Sequence, residues 1–261
     1  MQIIGVHKSS VVSEEAKIAS DVVIGPFSVV ERDVDIAEKT IIHSGALIAS
    51  GARVGSNCSI FHGAVLATVP QDIKFGGEDS LLIVGDNCII REFATLNRGT
   101  RHGGGVTRVG SNCMLMAYSH IAHDCQLGNN VIIANAVNMG GHVEINDFVS
   151  VGGMTVIHQF VKIGAYAFIG GKARISQDVP PYILTTGEEA KYYGPNAIGL
   201  RRRGFSSEQI ETIKRTYNYI YRSKLNLKQA VSAIRSEMEV IDEVAVILDF
   251  IEKSERGLAG K

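Results

Sequence analysis

His123 and Asp124 stand side by side in the segment HisIleAlaHisAspCys, His120 to Cys125. An imidazole with its ordinary pKa of about 6.5 can take a proton from a hydroxyl at neutral pH, and a neighbouring carboxylate fixes its tautomer and stabilises the imidazolium. Three readings of the segment are open: a general base with its orienting carboxylate, a zinc pair formed with His120, and a solvated polar corner. Residues three apart in a strand point to opposite faces, so His120 and His123 share a metal only if the chain bends between them. Gly140, Gly141 and His142, then His158 and Gln159, extend the polar theme. A glycine N–H can face a developing oxyanion, and a tight corner calls for glycine as well.

A second group is basic. Arg201, Arg202 and Arg203 precede a capped helix and can grip a phosphate, or they form an exposed solvated face. Residues 191–228 carry nine Lys or Arg and two Glu, whereas 229–261 carry four bases and seven acids. The whole chain balances 26 bases against 27 acids, which excludes a polyanion-coating protein.

What positions these groups is a repeat. From Val6, every sixth residue is aliphatic without a break as far as Leu66; the series resumes at Val84, Ile90 and Leu96 and, after one change of phase, runs from Val109 to Ile175. A helix turns about 100° per residue and would scatter such a series around its cylinder. A strand, with a period of two, keeps it on one side. The expected fold is a hexapeptide β-helix: three short strands per coil, about ten coils, and residues eighteen apart stacked at roughly 4.8 Å. The small residue after the aliphatic, as in Gly25, Gly55, Gly85 and Gly110, turns with positive φ or admits a close backbone. Its interior is dry, so chemistry belongs on the edges. Cys58, Cys88 and Cys113 each follow GlyXaaAsn and read as packing residues.

Residues 67–83 and 97–108 break the rhythm and read as inserted loops. Counted from Val6, both leave after the third strand of their coils. Ile121, Met139 and Ile157 fall on the same face, so His123–Asp124, Gly141–His142 and His158–Gln159 become neighbours beside both loops, with Asn97 a coil earlier. The convergence is what marks a site. The period ends at Ile175, and AspValProProTyr, Asp178 to Tyr182, divides the chain into a repeat domain, 1–180, and a helical domain, 181–261. In the tail Ser206 and Gln209 form a capping box, with Phe205 placed to staple onto Ile210. Ile210, Ile213, Tyr217 and Ile220 form one apolar stripe, and Ile241, Val244, Leu248 and Ile251 another. Met1 to Lys8 lacks the order of a secretion signal and no aliphatic run is long enough to span a bilayer, so the chain reads as cytoplasmic.

Several motifs together resemble one family. HisIleAlaHisAspCys (120–125), AsnArgGlyThr with GlyGlyGly (97–105), GlyGlyMetThrValIleHisGlnPhe (152–160), GlnAspValProProTyr (177–182) and ArgArgGlyPheSer (202–206) are similar to the acyl-carrier-protein-dependent UDP-N-acetylglucosamine O-acyltransferases of lipid A biosynthesis. The likeness covers essentially the full length. It implies a left-handed parallel β-helix of hexapeptide repeats followed by a C-terminal helical domain, in a homotrimer with active sites between subunits. It implies His123 as the base that deprotonates the sugar 3-hydroxyl, Asp124 as its partner and Gly141 as the oxyanion donor.

The resemblance further implies that Asp72, Lys74, His120, His142, Gln159, Asn196, Arg202 and Arg203 bind the nucleotide sugar, acyl chain or carrier, with Asn97 near the acceptor and Gly171 limiting acyl length; His158, on the same polar strip, is counted among the substrate-binding residues. No metal or cofactor is expected; the acyl donor is acyl-acyl-carrier protein, and neither nucleic acid nor membrane insertion is implied. Asn97 stands where many members have His, which opens a 3-amino acceptor beside the 3-hydroxyl. The alternatives are the related enzyme that N-acylates an O-acylated UDP-glucosamine, a zinc hydratase on the same prism and a purely structural solenoid.

Overall fold

The computed structural model describes residues 5–261; the first four residues of the expected repeat domain lie outside the described residues. The sixfold period becomes a three-sided coil. Strands of mostly two residues, in parallel register, stack into three sheets, and each strand pairs with the one a full coil away. One face runs from Val11–Val12 through Val65–Thr68, Thr95–Asn97, His120–Ile121, Asn138–Met139 and Val156–Ile157 to Arg174–Ile175, a stack of nine strands. That is one strand short of the expected ten coils, because the two inserts consume chain length. The face is also the second counted from Val6, not the third: Val6 pairs with Ile24 on the face before it. The stacking is unaffected, because both inserts leave from the same corner.

The interior consists of the periodic aliphatics. Ile24, Ile42, Ile60, Ile90, Leu115 and Ile133 are fully buried one above another. Each contributes about 1.5–3 kcal/mol by leaving water. Cys58, Cys88 and Cys113 fill one corner column, with Cys88 Sγ 3.1 Å from the Gly110 carbonyl, so they pack as expected. The corner glycines serve close approach rather than positive φ. A Cβ on Gly55 would stand 2.7 Å from the Gly85 carbonyl oxygen of the next coil. The left-handed conformation falls two residues later, on Asn57, Asn87, Asn112 and Asn130, with φ of 56–58°. Asn tolerates that region because its short amide bonds locally.

The inserts are shorter than the loss of rhythm suggests, covering 69–80 and 98–105. The strands Leu81–Val84 and Val106–Val109 pair with each other over four residues and absorb the loop ends. The face that follows the site corner, shared by Val34–Ile36, Ala52–Val54 and Gln126–Leu127, carries alternating charges on its earlier coils, with Arg53 bridging Asp33 at 2.6 Å and Asp35 at 3.1 Å.

The chain after Ile175 is not helical at once. Ile183–Thr186 adds a parallel strand to the stack, and Lys191–Pro195 pairs with it antiparallel. Four helices follow: α1 (Ala197–Arg202), α2 (Ser207–Tyr217), α3 (Leu227–Glu237) and α4 (Asp242–Glu252). The Ser206–Gln209 capping box forms, and the Ile210, Ile213, Tyr217 and Ile220 stripe is buried, although its last member lies in a π-helical turn, Asn218–Arg222. Phe205 meets Tyr166 and Tyr182 edge-on. Helix α3 has a capping box of its own, Asn226 with Gln229, a signal present in the sequence and unread there. Ile241 caps α4 rather than belonging to it. Among the described residues no helix is long and apolar enough to cross a membrane.

Candidate active site

His123 and Asp124 lie on the corner that follows His120–Ile121, one coil after the second insert. The tight corner places Asp124 in the left-handed region, φ 61°, and His142, eighteen residues on, occupies the same position with the same φ. The corners stack directly, since the His142 N–H donates to the His123 carbonyl at 3.0 Å. His123 Nδ1 is 2.8 Å from Asp124 Oδ2, and the Asp124 side chain is wholly buried. An ionised carboxylate only accepts, so Nδ1 carries the proton and Nε2 presents its lone pair. This is the tautomer a general base needs.

Gly141 is beside that lone pair. The Gly140 N–H is spent on the Ile157 carbonyl at 2.9 Å, whereas among the described residues the Gly141 N–H has no acceptor and is free for an oxyanion. His142 meets His123 edge-on at 5.2 Å and stacks on Phe160 at 4.5 Å. Burial holds the His142 imidazole below its ordinary value, with the Asp124 carboxylate pulling against it and Asp72 adding to that pull from the first insert. His120 is pushed down by burial and then by His123; its Nδ1 bonds Thr95 Oγ1 at 2.7 Å. His158, Gln159 and Phe160 are exposed on the corner above, where the His158 Nδ1–H donates to the Gln159 carbonyl at 3.0 Å.

Among the described residues, His123, Asp124 and His142 form a group of three whose ligand atoms lie within 4.8 Å of one another, close enough to share a cation. Asp124 Oδ2, however, already accepts from His123 and from Thr100 Oγ1.

The remaining expected site residues are spread between this corner and the other two. Asn97 is 3% exposed and spends its amide on Val69 O at 3.0 Å and Thr68 Oγ1 at 3.2 Å, tying down the first insert. Asp72 and Lys74 are on that insert, joined by a 3.0 Å bond from the Lys74 N–H. Gly171 is on the corner between Phe168–Ile169 and Arg174–Ile175, across the face from His123. Asn196 caps α1 and donates to the Tyr166 carbonyl at 3.0 Å. Arg202 ends α1, and the next residue, Arg203, lies 4.7 Å over the Phe148 ring on the third corner. The residues missed in the sequence are Thr100 and Thr107, both buried. Thr100 binds the carboxylate through N–H and hydroxyl, and Thr107 Oγ1 receives the Asp124 N–H at 2.7 Å.

Comparison with known proteins identifies the family to which the chain belongs. The family profile described as Udp N-acetylglucosamine O-acyltransferase, domain 2, matches residues 178–259, and that of the bacterial transferase hexapeptide (six repeats) matches 107–141. The acyl-[acyl-carrier-protein]–UDP-N-acetylglucosamine O-acyltransferase of Thermodesulfovibrio yellowstonii is 43% identical over 97% of this chain and 98% of its own. The UDP-N-acetylglucosamine acyltransferase of Bacteroides fragilis superposes with a TM-score of 0.94 at 42% identity, over 97% of this chain and 98% of that one. The enzyme of Francisella novicida gives 0.94 at 38%, over 97% and 93%. The fold is a left-handed parallel β-helix with a helical tail. The chain belongs to the family of acyl-[acyl-carrier-protein]–UDP-N-acetylglucosamine O-acyltransferases.

Proposed function

We propose that the protein transfers a 3-hydroxyacyl chain from acyl-carrier protein directly to the 3-position of UDP-N-acetylglucosamine, the first step of lipid A biosynthesis, with His123 as general base. The observation that carries the mechanism is the 2.8 Å bond from the His123 Nδ1–H to a fully buried Asp124 beside a Cβ-free Gly141. Nε2 takes the acceptor proton as the acceptor oxygen attacks the thioester carbonyl. The Gly141 N–H receives the oxyanion, the carbon–sulfur bond breaks, and the departing thiolate takes the proton from the imidazolium. Asp124 stabilises the imidazolium that forms between the two proton transfers.

Asp72, Lys74, His120, His142, His158 and Gln159 border this corner and are assigned to the acceptor sugar. Asn196, Arg202 and Arg203 are assigned to the nucleotide or the carrier, and Gly171 to the acyl end. These groups occupy different corners of one prism, which supports a homotrimer whose sites combine edges of adjacent subunits. The corner of Phe27, Phe93, Tyr118 and Met154 is exposed and apolar, as are Ile41 and Ile89 on one flank and Val29 and Val156 on the other, an unusual stripe for a lone chain. The buried free cysteines fit a reducing cytoplasm.

The test is mass spectrometry of the product formed from acyl-carrier-protein thioesters of several lengths with UDP-N-acetylglucosamine and, in a second arm, its 3-amino analogue. Acylation of the first is expected; acylation of the 3-amino sugar alone would move the acceptor atom to nitrogen. His123→Ala should stay folded and lose at least about a hundredfold in kcat. Near-normal turnover of that variant would remove His123 from the mechanism.

A further inference from the structure

Thr100 opens the turn of the second insert and is 1% exposed. Its N–H donates to Asp124 Oδ1 at 2.8 Å and its hydroxyl to Oδ2 at 2.6 Å, the same oxygen that accepts from His123. The direction of the hydroxyl proton is set, because Thr100 Oγ1 also accepts the Gly103 N–H at 3.2 Å. The turn presses close: a Cβ on Gly103 would lie 2.0 Å from Asp124 Cγ. A carboxylate without water needs donors on both oxygens, and two donors from one residue leave it no freedom to rotate.

Asp124 has a competing partner. His142 Nε2 is 3.7 Å from Oδ2, on the opposite side of the choice from His123 Nδ1 at 2.8 Å. We infer that Thr100 is a positioning residue for acyl transfer: its hydroxyl and N–H hold the carboxylate on His123 rather than His142, keeping the Nε2 lone pair of His123 aimed at the acceptor. The inference rests on the reading of His123 as the base. The second insert then has a chemical purpose, since it departs from the coil and returns a clamp to the carboxylate of the next one.

The decisive variant is Thr100→Val, which keeps the volume and the N–H and removes the hydroxyl. Its kcat should fall about 10- to 100-fold, with KM for UDP-sugar and acyl carrier unchanged within about twofold, because the loss is of orientation rather than binding. Thr100→Ser should restore most of the turnover. Should Thr100→Val not fold, Gly103→Ala, which retains the hydroxyl and drives a methyl into the carboxylate, should show the same split. Turnover of Thr100→Val or Gly103→Ala within twofold of the unaltered enzyme, or a Thr100→Ser as slow as Thr100→Val, would overturn the assignment of Thr100 alone. Absence of transfer by the unaltered enzyme, or normal turnover of His123→Ala, would overturn the functional reading and this inference with it.

Discussion

The Cα of Gly141 lies against the imidazole of His123: a Cβ there would stand 2.5 Å from Cε1 and 2.7 Å from Nε2. The His123 ring therefore occupies space that only glycine leaves. Gly141→Ala should swing the ring away and break its 2.8 Å bond to Asp124. The expected loss in kcat is about a hundredfold, since misplacement by an ångström costs on that order. Stability should change by only about 1–2 kcal/mol, because a side chain rather than the backbone must yield. Steady-state kinetics beside thermal melting separates the two, and normal turnover would show that the ring works from another position.

The arrangement of that corner was legible from chain order because stacking follows from the period alone. His123, Gly141 and Gln159 are carried to one edge whichever way the coil winds. The inserts were less legible. Leu81–Val84 and Val106–Val109 are held as strands by pairing with each other, a contact between segments that no single hexapeptide encodes. Thr100 gave no signal, since a threonine in a loop is common and only the fold brings it to Asp124. Asn57 and its equivalents took the positive φ expected of glycine, because the glycines were already required for close approach between coils. The hairpin of Ile183–Thr186 and Lys191–Pro195 was hidden by its lack of period and formed by the open end of the stack.

Acid should destabilise the protein through its half-buried imidazoles. Burial lowers His120 and His142, so the unfolded chain binds their protons more tightly than the folded one. Their contribution is complete above the ordinary histidine value of about 6.5 and is lost as pH falls through the lowered folded values. Melting temperature should decline between pH 7 and 5. His120→Gln, which keeps a polar partner for Thr95, should flatten that decline. An equal or steeper decline in the variant would mean that His120 takes no part.

In the proposed homotrimer the apolar corner is the surface that brings the distributed residues together. Phe93 stacks on Tyr118 at 5.3 Å within the chain, and Phe93 and Ile89 still present 44% and 39% of their surface outward. Replacing exposed side chains costs a single folded chain little. The pair Ile89→Lys and Phe93→Asn should thus leave secondary structure and core packing intact while breaking contact between subunits. Asn is chosen because Phe93 sits at φ 57°, a conformation Asn accepts. Light scattering should report three chains for the unaltered protein, as the proposed homotrimer requires, and one for the variant, and transfer should fall with it, since the edge bearing Arg203 would no longer meet an edge bearing His123. A variant that keeps the trimer's mass would place the interface elsewhere. A variant that dissociates yet transfers at the normal rate would show that one prism holds a whole site, and the assignment of Arg202 and Arg203 to the substrates would have to be abandoned, because Arg203 lies on a different corner from His123.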